Sequence, residues 1–254
     1  MKATEFVNSL GITEGATREM MAMNAIVSNQ IPSFLWTLHP VTVGLTTTNP
    51  TDGSLTEHTL TYRVMPDYLC VGEDDDYMHV PLSPITANSF MDQHGFSLPT
   101  KKMVNQIWEH CDLKIRPVTW DEMYGKSTKK YNRGATRCFF DHSQRIQQIV
   151  KLSGQPPEAL RAGHKKDVVL SNALLRKENL GNVAIYGWFN PDGTPIQGLN
   201  PKSHVVSYTD YSHGLRMVSN ACVLDGQPTT LQAIWSDPVL CQLIHDEPLR
   251  FRRY

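Results

Sequence analysis

The densest group of reactive side chains lies in one short stretch, His204-Val-Val-Ser-Tyr-Thr-Asp210-Tyr-Ser212-His213-Gly-Leu-Arg216. It supplies imidazoles to carry protons, a carboxylate to orient one of them, and a hydroxyl that could attack. It also holds a guanidinium able to hold an anion or a developing oxyanion. The expected catalytic set is His213 as base, Asp210 as its orienting acid, Ser212 or a water as nucleophile, and His204 nearby. If the segment is an extended strand, His204, Val206, Tyr208 and Asp210 share one face, because side chains alternate with period two.

A second group, Gly163-His164-Lys165-Lys166-Asp167, stands just before an apolar Val-Val-Leu run. Its lysines suit an anionic substrate, or one of them could pair with Asp167. Together with Arg216, the residues Lys165, Lys166 and Asp167 form the expected substrate-binding set. Trp188 and Tyr208, with Tyr211, add a flat apolar platform for a sugar or peptide. Several motifs fail. Gly125-Lys126-Ser127 ends like a phosphate loop, but Trp120 stands at its first glycine position. Glu73 to Asp76 lack the spacing of a calcium loop. His204, Asp210 and His213 lack an H-E-x-x-H helix, so no metal is assigned and the cofactor is left open. Cys138, beside Phe139 and Phe140, reads as a buried thiol.

These residues need elements to position them. Apolar spacing predicts a helix over 17–29, then a meander of antiparallel strands between 34 and 82. Ser83-Pro84 starts a helix that Gly95 stops, and a further helix runs over 100–110. A short strand is expected at 113–116. Residues 117–140 show no apolar period and carry Lys126, Lys129, Lys130, Arg133 and Arg137. A helix over 141–152 is followed by strands at 167–170, 183–189, 204–209, 214–219 and 222–224, then a helical stretch over 229–245 broken by Pro238. Helices and strands without regular alternation predict an α+β fold, an antiparallel or mixed sheet with flanking helices. One domain is expected, with an N-terminal part over 1–110 and a β-rich part over 141–254 that carries the site.

Charge narrows the functions. The 254 residues carry 24 Lys plus Arg against 25 Asp plus Glu, so no polybasic or acidic tail dominates. The five cysteines form no C-x-x-C pair, which argues against a disulfide framework or a thiolate zinc site. The N-terminus has no secretory pattern and no apolar run is long enough to span a bilayer. A soluble protein of the cytoplasm, or one associated with a phage particle, is expected, with no membrane partner.

Four segments carry a resemblance: Lys165-Lys166-Asp167-Val168-Val169, Ala184-Ile185-Tyr186-Gly187-Trp188, Gly193-Thr194-Pro195-Ile196-Gln197 and Asp210-Tyr211-Ser212-His213-Gly214-Leu215-Arg216. The chain resembles, over roughly residues 55–245, a family of bacterial and phage-borne proteins, and that resemblance brings no activity with it. Pro66-Asp67-Tyr68-Leu69 and Leu98-Pro99-Thr100-Lys101-Lys102-Met103-Val104 extend it upstream. Gly193-Thr194-Pro195 followed by Ser212-His213-Gly214 and Arg216 is also similar to the L,D-transpeptidase signature, in which a cysteine follows the last glycine. Here Leu215 stands in that place and Asp192 stands where the upstream histidine falls.

The expected function is a hydrolase, directed at a cell-wall peptide or glycan, that uses the His213, Asp210 and Ser212 cluster on an anionic substrate. The alternative is a non-enzymatic structural or binding protein of a phage or bacterium, which the abundance of uncharged polar residues suits. Nucleic-acid binding by the basic loop at 126–137 ranks last, because the overall charge is flat.

Overall fold

The computed structural model describes the chain except Ile12, residues 49–51 and residues 127–131. Two helices open it, α1 (Ala3–Leu10) and α2 (Gly15–Val27). The first was not expected from periodicity. It buries Ala3, Phe6 and Leu10, and its Thr4 amide donates to Asp76. Asp74 accepts from the Ser33 hydroxyl at 2.6 Å and from the Phe34 amide. The acidic turn at 73–76 therefore serves as an organising point for the N-terminal segment.

The strands β1 (His39–Thr48) and β2 (Leu55–Val64) form a regular hairpin, with His39 opposite Val64 and Thr48 opposite Leu55. A second hairpin follows, β3 (Cys70–Glu73) with β4 (Asp76–His79). The expected continuous meander is thus two separate hairpins. Next come α3 (Pro84–His94), β5 (Phe96–Ser97) and α4 (Lys101–His110). Ser83 caps α3 by accepting from the Ile85 amide, Pro84 sits at its first position and Gly95 ends it with φ 67°. Thr100 caps α4 through the Met103 amide.

β6 (Leu113–Lys114) and the short α5 (Trp120–Tyr124) precede α6 (Thr136–Ser153). α6 begins five residues before the expected Asp141, because the Glu14 carboxylate accepts from the Thr136 amide at 3.0 and 3.1 Å. That cap comes from more than a hundred residues away, so local periodicity does not contain it. Lys129 and Lys130 of the basic loop lie outside the described residues. Arg137 pairs with Asp141 on α6.

The C-terminal half contains β7 (Arg161–Ala162), β8 (Lys166–Val168), β9 (Ile185–Phe189), β10 (Pro195–Asn200) and β11 (His213–Gly214). It ends with β12 (Val218–Leu224), β13 (Gln227–Thr230) and α7 (Leu231–Ser236). No strand covers 204–209: Val205 makes one isolated bridge to Asn182, and a turn follows. The shared strand face of His204, Tyr208 and Asp210 is therefore replaced by a folded turn. β12 inserts beside β2, giving a sheet of order β1-β2-β12-β13 with β5 also on β12. The second sheet has the order β10-β9-β8-β11, in which only the β8–β11 pair is parallel. The fold is α+β with antiparallel and mixed sheets. One apolar cluster runs through the chain from Ala3 to Leu249, and a small second one joins Ile115, Val118, Ile146 and Val150. Among the described residues no helix is long and apolar enough to cross a membrane. All five cysteines are free thiols.

Candidate functional site

The second sheet sorts the two polar sequence clusters onto its two faces. His213 lies opposite Lys166, and Lys166 opposite Gly187, so these three make one row across β11, β8 and β9. The next row is Gly214, Asp167 and Tyr186. Because side chains alternate along a strand, the two rows face opposite ways.

The first row carries the candidate site. His213 sits 5.5 Å from the His204 ring and 5.7 Å from the Tyr208 ring, centroid to centroid. His204 and Tyr208 stack on each other at 4.2 Å. The Lys166 ammonium lies 4.8 Å from the Trp188 ring. Tyr208 is exposed, His204 and Trp188 are half-buried, and His213 is only 3% exposed. His213 Nε2 and Trp188 Nε1 are buried polar atoms without a hydrogen-bond partner among the described residues.

Near His213, Asp210 Oδ1 accepts from the Ser212 amide at 2.7 Å and from the Ser212 hydroxyl. The His213 amide donates to the Asp210 carbonyl at 3.0 Å. Burial alone would raise the Asp210 carboxyl, but His213, Ser212 and Lys166 outweigh it and hold it below its usual range. Burial lowers His213 to about 4 against the pull of Asp210, with Lys166, His204 and Lys165 also repelling its charged form. Near neutral pH the imidazole is therefore uncharged beside an ionised carboxylate, the state a general base requires. Ser212 donates to Asp210 rather than to His213, which leaves it without the base that a serine nucleophile needs.

The second row faces a buried ionic interior. Tyr68 donates its hydroxyl to Asp167 at 2.8 Å, and the Arg216 guanidinium lies over the Tyr68 ring at 4.1 Å. Arg216 also donates to the carbonyls of Met65 and Arg161, at 3.0 and 2.7 Å. Gly214 fits here because a side chain would collide: an added Cβ would stand 2.5 Å from the Tyr68 ring. Lys165 donates to the Tyr211 carbonyl. Burial pushes Lys165 down to about 7 and Asp167 up to about 7. Arg161, Lys165 and Arg216 are nearly or wholly inaccessible, as are Asp67, Asp167 and Asp210. Lys165, Asp167 and Arg216, expected to touch substrate, instead brace the sheet from below, because none reaches solvent.

Asp67, His79 and His164 were not expected as a group. Their donor atoms lie within 4.8 Å of one another, the one metal-capable set of three found among the described residues. The carboxylate is already shared. It meets His79 at 3.0 Å, His164 at 3.1 Å, the Tyr68 amide at 2.7 Å and Arg161 Nε at 3.3 Å. A dication there would face the Arg161 guanidinium beside Asp67, with Lys165 close enough to act on both Asp67 and His79, so the set fits a hydrogen-bonded ion network better than a metal centre. The legible signal was one acid among apolar neighbours in Val64-Met65-Pro66-Asp67-Tyr68-Leu69. Its histidine partners come from distant segments.

The transpeptidase-like residues separate. Gly193 and Thr194 belong to the β9–β10 turn, where Asp192 accepts from the Thr194 amide and hydroxyl. Leu215, in the place of the cysteine, is core. Cys222 lies on β12 of the other sheet, and burial pushes its thiol up to about 11, away from thiolate chemistry. A cleft of about 560 Å³ lies elsewhere, lined among others by Phe34, Tyr77, Gln144 and Gln147, and meets the ionic interior through Arg161. No protein-family model, no curated protein and no solved structure matches the chain.

Proposed function

We propose that the chain is a hydrolase in which His213 is the general base and a water is the nucleophile. The observation that carries this reading is His213 Nε2, a buried imidazole nitrogen without a hydrogen-bond partner among the described residues, set beside the His204 and Tyr208 rings. Asp210 holds the neighbouring backbone and stabilises the imidazolium that forms once the proton is taken. Lys166 supplies positive charge for a developing oxyanion. A cell-wall glycan or peptide is the proposed substrate, supported by the aromatic faces of Trp188, Tyr208 and His204 beside the Lys166 ammonium. Hydrolysis of a murein panel by the wild type, lost in both His213→Gln and Asp210→Asn, is the expected result. No turnover by the wild type, or equal turnover by both variants, overturns the reading.

A non-enzymatic reading has one observation behind it. β10 is an edge strand whose Ile196 and Leu199 are exposed, as is Val205 nearby in sequence, a surface suited to a partner. Light scattering separates the two readings: a large defined assembly supports the partner, and a monomer supports the enzyme.

A further inference from the structure

Trp188 is the least comfortable residue of the second sheet. It has φ 58°, in the left-handed region that a bulky side chain avoids. Such a conformation costs on the order of 1–3 kcal/mol and persists only where the surroundings impose it. Gly187, just before it, has φ 106°. A Cβ on Gly187 would meet Val104 and the Asp167 carboxylate, and the Trp188 ring lies on the other face, against the Lys166 ammonium at 4.8 Å. Its indole nitrogen is a buried donor without a hydrogen-bond partner among the described residues.

Lys166 is the second unusual feature. It is 9% exposed, its backbone amide donates to the Ser212 carbonyl, and its ammonium, with Asp210 acting on it from a distance, has the Trp188 ring as its contact and no hydrogen bond or ion pair among the described residues. The Arg133 guanidinium is exposed, has no side-chain partner among the described residues, and acts on both Lys166 and Tyr208. Its backbone is fixed to the site, since its carbonyl accepts from the Tyr211 amide at 3.0 Å. The nearby carboxylate of Asp210 is hydrogen-bonded by Ser212 and acts on His213 and Lys166. Two uncommitted cations therefore flank an aromatic rim.

We propose that this site binds a glycan whose sugar rings carry a carboxylate, with the ring against Trp188 and the Tyr208–His204 pair and the carboxylate on Lys166 and Arg133. The spacing favours a sugar acid over a nucleotide. The cation sits directly beside the aromatic face, and in a sugar acid the carboxylate hangs on or next to the stacked ring. A nucleotide holds its phosphate a whole ribose away from its base. The indole N–H supplies a donor for a ring hydroxyl, and the arginine fork suits a carboxylate. This rests on the reading of the His213 site as the place where substrate binds.

The test is binding, independent of turnover. Calorimetry on the full chain compares oligogalacturonate and a muramate-containing glycan with neutral oligosaccharides of the same length, and with a nucleoside diphosphate. The acidic glycans are expected to bind at least tenfold more tightly than the neutral ones. That preference should fall at least tenfold in Lys166→Gln, persist in Lys166→Arg, and weaken in the exposed Arg133→Gln, which carries little risk to folding. His213→Gln should keep the binding while losing hydrolysis, so failure of the hydrolase reading and failure of this one give different results. Equal binding of neutral and acidic glycans, a preference that survives both glutamine variants, or tighter binding of the nucleotide overturns the proposal.

Discussion

Tyr68 donates its hydroxyl to Asp167 at 2.8 Å across 99 residues of chain, and this contact joins the loop before β3 to the strand that carries Lys166. Both partners are essentially inaccessible to water, so nothing replaces the bond when it is lost. The site depends on it, because Asp167 and Lys166 are neighbours on β8 and face opposite sides. Tyr68→Phe leaves a buried carboxyl without its donor and should lower stability by about 1–3 kcal/mol. Urea denaturation measures it. A change within error would mean that the Asp167 carboxyl is satisfied otherwise.

Gly214→Ala should do more. The new methyl would have to enter the Tyr68 ring, and the ring is held by Arg216 above it and Asp167 at its hydroxyl. Overpacking of a core typically costs about 1–3 kcal/mol, and here it also displaces the neighbour of His213. The expected result is a lower denaturation midpoint together with weaker glycan binding. Tyr68→Phe should change the first much more than the second.

Acid should unfold the protein early. His79, His142, His164 and His213 are all buried, and burial depresses each one, His164 to about 3 and His213 to about 4. A depressed histidine favours the folded state fully only above its unfolded value of about 6.5, and that contribution is lost as pH falls toward the folded value. His213 is faced by Asp210, Lys166, His204 and Lys165, and the charge of Asp210 does not offset its burial. Asp167 runs the other way: raised to about 7, it favours the folded state at low pH and loses that contribution as pH rises through 7. Four imidazoles outnumber one carboxyl, so stability should fall between pH 6.5 and 5, with a slope of up to about 1.4 kcal/mol per pH unit for each excess proton. Melting temperatures across that range check it, and His213→Gln should make the slope shallower. A flat profile contradicts the burial of these rings.

Asp67 should be structural. Asp67→Ala leaves Arg161 and its histidine neighbours without their carboxylate, a buried break that should cost about 3–5 kcal/mol. Extensive chelation of the wild type should leave its melting temperature unchanged. A drop on chelation, reversed by one added divalent metal, would show that the set holds an ion.

The α+β class and the local helix signals were legible in the sequence, and the long-range pairings that place the polar residues were not. The Ser83, Pro84 and Gly95 signals are local, and helix α3 follows them residue by residue. His204, Tyr208, Asp210 and His213 do converge, but through a turn, because Val205 pairs with Asn182 for only one bridge. The faces of Lys165, Lys166 and Asp167 depend on β8 lying between β9 and β11, a long-range pairing that no local period encodes. Asp67 and His79 were invisible as a site for the same reason. Each reads as a lone polar residue in an apolar stretch, and only the fold brings them to His164.

The most direct measurement is the pH dependence of hydrolysis of an acidic glycan or murein substrate by the wild type and by Ser212→Ala and His213→Gln. The account predicts that Ser212→Ala keeps most of the activity, since a water attacks, and that His213→Gln loses about 10²–10⁴-fold. It also predicts wild-type activity that persists down to about pH 5, because His213 titrates near 4. Full activity in His213→Gln, or complete loss in Ser212→Ala with His213 intact, would contradict it.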